Sequence, residues 1–247
     1  MRITVISDVH GNLLALEAVM ADIEQRRADS IVNLGDLLSG GVQPGATADR
    51  LLELNLPTVR GNHERQVLES EPATMSRSDR LARQEMTARH LAWFGSLPLT
   101  LEPAPGVLAF HGSPTDDLTY LLETVEPDGA RRATESEVVE RLGRDGGHAL
   151  LLCGHTHIQR SMRLTTGAFV VNPGSVGWPA YDDNHPYPHV MEAGSPHARY
   201  AIVDNASGRW EADFIAVEYP WASAARIADA NERPDVARAL LTGRVLP

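Results

Sequence analysis

Short apolar blocks recur along the chain, and many end abruptly in glycine, histidine or a carboxylate. Arg2 to Ser7 carries Ile3, Val5 and Ile6 and runs into turn residues, which predicts a buried strand. Asn12 is then a helix cap, followed by Leu13, Leu16, Met20 and Ile23 at helical spacing. Ile31 to Leu34 is a second short strand, ended by Gly35-Asp36. A strand–helix–strand order of this kind makes a parallel, right-handed crossover the default. A loop with Gly40, Gly41 and Pro44 leads to a helix over 46–54, and Pro57 to Arg60 reads as a third strand, ended by Gly61-Asn62-His63. Of the helical segments after it, the clearest is 80–94.

From Leu99 the pattern changes to short strands: 99–102, then 107–110, ended by His111-Gly112. A helix containing 135–142 precedes the apolar run 149–153, which ends in Gly154-His155-Thr156-His157. Segments 160–164 and 168–171 predict a hairpin around Thr165-Thr166-Gly167, leading into Asn172-Pro173-Gly174-Ser175. A further hairpin spans 200–204 and 210–217, and the C-terminus reads as helical with Gly243 as a C-cap. The one irregular stretch is 177–196, rich in Pro, Asp, His and Tyr. A loop of that length inside a compact domain is usually functional or mobile. With no repeat or linker, the expectation is one α/β domain over 1–247.

Composition narrows the chemistry. A hydrophobic fraction of 43% supports a substantial core, and a net charge of −11 disfavours nucleic acid as a partner, since that footprint is a basic stripe. All 22 residues counted as Lys or Arg are arginine, which reads as a composition bias. The single cysteine, Cys153, forbids an intrachain disulfide and fits core packing in a reducing compartment. The N-terminus is too short and polar for a signal peptide and no run reaches membrane-spanning length, so the expected location is cytoplasmic, with no membrane partner.

Five strand ends finish in residues that ligate metals: Asp8-x-His10, Asp36, Asn62-His63, His111 and His155-x-His157. In open α/β sheets, sites form beyond the carboxyl ends of strands, so these segments are candidates for one crevice. Carboxylate, imidazole and amide oxygen together suit hard-to-borderline divalent ions. Glycine beside the ligands lets the backbone turn sharply.

In this order, Asp-x-His, Gly-Asp, Gly-Asn-His-Glu, His-Gly and Gly-His-Thr-His resemble the calcineurin-like metallophosphoesterase superfamily. Asp8-Val9-His10-Gly11-Asn12, Val59-Arg60-Gly61-Asn62-His63 and Asn172-Pro173-Gly174-Ser175-Val176 resemble its small bacterial and archaeal phosphodiesterase branch. The resemblance runs from Arg2 to about Gly177. It implies a four-layer αββα sandwich of two mixed sheets flanked by helices. It also implies one metal on Asp8, His10 and His157, a second on Asn62, His111 and His155, and Asp36 bridging both. Two ions in such sites lie roughly 3.5–4 Å apart, with a bridging hydroxide poised for in-line attack on phosphorus. Manganese is the leading ion, with Fe, Zn, Ni or Mg as alternatives. His63 corresponds to the family's non-ligand histidine, which protonates or stabilises the leaving oxygen. Asn62 and Arg60 are candidates for contacting phosphate.

The sequence departs from the protein Ser/Thr phosphatases after Gly35-Asp36. There, further along the motif, an Asp orients the histidine and an Arg grips a phosphoprotein phosphate; here Ser39 and Gly40 stand in those places. The expectation is therefore a small phosphodiester or nucleotide-like substrate. A phosphomonoesterase or phosphoprotein phosphatase is the alternative, and a non-catalytic scaffold of the same fold a more distant one. Self-association into a homo-oligomer is left open. Glu64 reads as a helix-start residue suited to the dipole. His90 and His148 read as surface or packing residues. The 177–196 stretch, with Trp178, Tyr181 and Tyr187, is either a surface loop or a lid whose aromatics stack on an organic group.

Overall fold

The computed structural model describes residues 1–245, so the last two positions of the expected 1–247 domain lie outside it. In chain order the first elements are β1 (Arg2–Ile6), α1 (Leu13–Arg26), β2 (Ser30–Asn33), α2 (Pro44–Leu54), α3 (Asn62–Glu69), α4 (Arg77–Glu85) and α5 (Ala88–Ser96). Strands β3 (Thr100–Ala104), β4 (Val107–Phe110), β5 (Glu123–Glu126) and β6 (Gly129–Arg132) precede α6 (Glu135–Leu142). Then come β7 (Leu150–Leu152), β8 (Gln159–Arg163), β9 (Phe169–Pro173), β10 (Ala180–Asp183) and β11 (His189–Glu192). The described chain closes with β12 (Ala198–Asp204), β13 (Glu211–Val217), α7 (Trp221–Ala230) and α8 (Pro234–Thr242).

Two mixed sheets result. The first has the order β13-β12-β1-β2, with β1 and β2 parallel; the second is β3-β4-β7-β9-β8, with β4, β7 and β9 parallel. Side chains alternate across each strand, and the burial follows that period of two. Ile3, Val5, Ala201 and Val203 from the first sheet meet Val107, Ala109, Leu150, Leu152 and Val171 from the second in one core between the sheets. The opposite faces are covered separately. Ile6, Tyr200 and Ile202 pack under α1, α2, α7 and α8, whereas Leu108, Leu151 and Val170 pack against Val138 and Leu142 of α6. The helix–sheet–sheet–helix sandwich implied by the motifs is what forms.

Asn12 caps α1 by accepting from Ala15 N at 3.2 Å, as its position predicts. Gly243 adopts a left-handed φ of 66° after α8. Several expectations need correction. The segment 57–60 makes only one bridge, Asn33 to Thr58, because Arg60 N turns away to Pro98 O at 2.8 Å. The helix expected over 80–94 is two helices, since Thr87 caps a new one by accepting from His90 N. The 177–196 stretch is not irregular: β10 and β11 pair antiparallel within it. The hairpin β5–β6 was not anticipated, although Pro127-Asp128-Gly129 is a turn sequence. Among the described residues no helix is long and apolar enough to cross a membrane.

Candidate metal centre

The parallel strands deliver their carboxyl ends to one crevice, and the loops there are laced by backbone bonds. Asp8 N donates to Gly35 O at 2.9 Å, His10 N to Asp36 O at 3.0 Å and Gly154 N to His111 O at 2.7 Å. Asp8, His10, Asp36, His155 and His157 all adopt left-handed φ, between 49° and 68°. That conformation costs an ordinary L-residue about 1–2 kcal/mol. Glycine plays a different part from the turning role expected of it at two of these positions. A Cβ at Gly61 would collide with the Asp36 carboxylate, and one at Gly154 with Ser7 Oγ. Strain concentrated on functional side chains is held by the surrounding lacing and marks a site.

Asp8, His10 and His157 converge in one group, and Asp36, His111 and His155 in a second; Asp36 also shares a group with His10 and His63. The hydrogen bonds at the ring edges fix the chemistry. His10 Nδ1 donates to Ser39 O at 2.5 Å and His157 Nδ1 to Trp178 O at 2.6 Å. With those protons committed, the two Nε2 atoms face each other at 2.9 Å, with room for at most one proton between them. Asp8 Oδ1 lies 3.4 Å from one and 3.8 Å from the other, buried and without a hydrogen-bond partner. Two imidazole nitrogens and a carboxylate oxygen converging on one buried point are a donor set suited to a divalent cation.

The second group is built alike. His111 Nδ1 donates to Leu34 O and His155 Nε2 to Leu118 O. The Asn62 amide atom directed inward stands 3.1 Å from His111 Nε2, 3.0 Å from His155 Nδ1 and 3.2 Å from Asp36 Oδ2. Turning that amide over would satisfy the group by hydrogen bonds alone. It would exchange the bond from Asn62 Nδ2 to Gln66 Oε1, 3.3 Å, for one accepted from His63 N, also 3.3 Å. With the inward atom read as oxygen, it joins Asp36 Oδ2, His155 Nδ1 and, once its proton is displaced, His111 Nε2 in a second donor set suited to a divalent ion.

The electrostatics agree. Burial alone would raise Asp36, but the imidazoles of His111, His63 and His10 hold it well below the usual carboxylate range. Burial and the neighbouring His157 push His10 down to about 3. Burial and His111 push His155 down to about 4, so both rings keep free lone pairs at neutral pH. Burial opposes a charge on His111, yet Asp36 beside it raises the ring to about 10. The proton it carries is what a cation would displace.

His63 shares a group with His10 and Asp36, but one of its ring nitrogens is committed to a carboxylate. Its Nδ1 bonds Asp79 Oδ1 at 2.7 Å, and Asp79 is held in turn by Ser76 Oγ at 2.6 Å. The other ring nitrogen is left for the cavity, about 450 Å³ in volume, that His63 lines with His10, Asp36, Asn62, His155 and His157. Burial works against a proton on this ring, but Asp36 and Asp79 raise it to about 9. The expectation that His63 lacks an orienting carboxylate is corrected: α4 supplies one from a different part of the chain. The signal was Ser76-x-x-Asp79, which reads locally as a helix cap, and the Asp79 N bond to Ser76 Oγ bears that out.

Glu64 does begin a helix, but its larger task is elsewhere. Its carboxylate accepts from Asp36 N, Leu37 N and Gly61 N at 2.8–2.9 Å, tying two ligand loops together. Arg60 is not among the residues lining the cavity; Arg77 and Arg233 are. Trp178 and Tyr181 form one wall, the Tyr181 ring 4.6 Å from that of His157.

A calcineurin-like phosphoesterase superfamily domain matches residues 1–193, and the chain belongs to that superfamily, a group of metal-dependent phosphoester hydrolases. A metallophosphoesterase from Sphaerobacter thermophilus superposes with a TM-score of 0.74 at 25% identity, over 97% of this chain and 98% of that one. A hypothetical protein from Pyrococcus horikoshii OT3 shares the fold, with a TM-score of 0.77 at 18% identity over 98% of both chains. An uncharacterized protein of Methanocaldococcus jannaschii is 28% identical over 239 residues, 88% of this chain and 87% of its own. The fold implies divalent metal ions, and the acceptor groups fit them.

Proposed function

We propose that this chain hydrolyses a small phosphodiester using two divalent cations. One is held by Asp8, His10 and His157, the other by Asn62, His111 and His155, with Asp36 shared. The observation that carries the reading is the convergence of His10 Nε2 and His157 Nε2, 2.9 Å apart, beside an unpartnered Asp8 oxygen. Manganese is the leading ion, and Fe, Zn, Ni or Mg suit the same mixed donors. When bound, such ions supply Lewis-acid charge to the phosphoryl oxygens and acidify water. The protein's own residues then do the rest. Asp79 fixes the His63 ring so that its free nitrogen faces the cavity and delivers a proton to the leaving oxygen. Trp178 and Tyr181 wall the cavity against the organic part of the substrate. A reducing cytoplasm suits the buried Cys153 thiol.

The preference for a diester rests on space. Past His155 and Tyr120 a second cavity of about 570 Å³ continues, lined by Leu118, Thr124, Val125 and Pro186. That room suits a second ester arm. The presence of Asp79 removes one argument against a phosphatase, so a monoesterase remains the competing reading. With Mn loaded, aryl diesters are expected to turn over at least about tenfold faster than the matching monoesters, a difference of roughly 1.4 kcal/mol in barrier. The reverse order would favour the monoesterase.

His63→Ala is expected to lower kcat by roughly a hundredfold to ten-thousandfold with metal content unchanged. Asp79→Asn keeps an oxygen for the ring and should lose less. Both losses should shrink on substrates with good leaving groups, which need no proton. Loss of metal in His63→Ala, measured by elemental analysis, would make the residue structural instead.

A further inference from the structure

Arg233 lies forty residues past the end of the matched family domain, at the N-cap of α8, yet it is buried against the crevice. Its Nη1 donates to Gly40 O at 2.9 Å and to Ser78 Oγ. Its Nε and Nη2 pair with Asp235 at 3.0 and 2.6 Å, which balances the charge. The guanidinium also lies over the Trp178 ring, 5.5 Å from the centroid. Three of these contacts, those with Gly40, Ser78 and Trp178, abut a group that orients an imidazole. Gly40 follows Ser39, whose carbonyl holds His10 Nδ1. Ser78 precedes Asp79, whose carboxylate holds His63 Nδ1. The Trp178 carbonyl holds His157 Nδ1.

The packing leaves these three supports little freedom. A Cβ at Gly40 would strike the His10 carbonyl, and one at Gly41 would press on the Arg233 side chain. Asn231 Nδ2 adds bonds to Gly41 O at 3.1 Å and Val42 O at 2.9 Å. The loop carrying Ser39 is therefore clamped between His10 and the 231–233 segment. By contrast, His111 and His155 are oriented by Leu34 O and Leu118 O, which Arg233 does not touch.

We infer that Arg233 is a positioning residue that sets the ring orientation of His10, His63 and His157 together, making the C-terminal helices part of the catalytic assembly. A planar guanidinium suits this task, because it bonds in two directions and stacks at once. Ser39 O and Trp178 O, bonded directly to the rings, are supports of the kind that carry a factor of about 10–100 in metal affinity, and Arg233 acts one step behind them.

The test is a set of Arg233→Ala, Arg233→Lys and Ser78→Ala variants, read by the hydrogen-bonded Nδ1–H signals of the histidine rings in metal-free protein. In Arg233→Ala the signals of His10, His63 and His157 should broaden or vanish while His111 keeps its own. Ser78→Ala should disturb His63 alone. Lysine has a point charge without the fork, so Arg233→Lys should resemble the alanine variant. Mn titration should then show one of two equivalents weakened by up to roughly tenfold, the low end of what a direct support carries. That second arm rests on the proposed metal pair; if wild-type protein takes up no Mn, that reading fails while the ring signals still decide this one. Should Arg233→Ala not fold, Arg233→Lys carries the same comparison and Ser78→Ala its His63 arm. Unchanged ring signals in folded variants, or loss from every histidine alike, would overturn the inference.

Discussion

Asp36→Asn is expected to lower turnover by roughly a thousandfold or more, about 4 kcal/mol in barrier, and to leave less than one tightly bound metal per chain. Among the described residues it is the one carboxylate within ligand distance of both groups, beside His10 on one side and His111 and His155 on the other. Asparagine preserves its volume, so the fold should survive. The chemistry does not. Asp36 Oδ1 accepts from His63 N at 3.0 Å, while Oδ2 stands 3.2 Å from His111 Nε2. An amide must turn its NH2 toward one of them. In one orientation two donors face each other at His63; in the other a donor points at the space a cation needs. Elemental analysis with single-turnover rates measures the effect, and a variant with two ions and near-normal rate would show that Asp36 is not shared.

Glu64→Ala should produce the largest loss of stability of any single change at the crevice, roughly 3–5 kcal/mol, since a buried hydrogen-bonding group left unsatisfied costs about 1–3 kcal/mol. Three buried N–H groups lose their acceptor at once, those of Asp36, Leu37 and Gly61. For a chain of this size that is a fall in Tm of roughly 10 °C, read by thermal denaturation. Because all three amides lie in the two loops that carry the candidate ligands Asp36 and Asn62, metal affinity should fall with it. Glu64→Gln keeps one carboxamide oxygen and should lie between. A Glu64→Ala protein within 2 °C of wild type, roughly a 1 kcal/mol change at most, would mean that the loops hold themselves and the carboxylate is a bystander.

Some of this was open to a reader of the chain. Apolar runs ending in Asp8, Asp36, His111 and His155 give the strands and the donor types, because strand periodicity and metal-ligand chemistry are both local properties of sequence. The order of the motifs then implied the sandwich and the family. Other features were hidden by length scale. The left-handed φ of five candidate ligands follows from backbone lacing between β1, β2 and β7, which no single segment encodes. The 177–196 stretch looked structureless because Pro, Asp and Tyr dominate it, yet β10–β11 pairing organises it. Ser39 and Gly40 looked like missing chemistry.

The amino-acid order by itself determined which side chains can bind cations and which strand ends carry them. Only the tertiary structure decided who supports them: Asp79 on His63, Glu64 across two loops, Arg233 behind three imidazoles. The reason is physical. A ligand is specified by its own chemistry, whereas a support is specified by where a hydrogen-bond partner happens to lie, and 16 residues separate His63 from Asp79 while 193 separate Gly40 from Arg233.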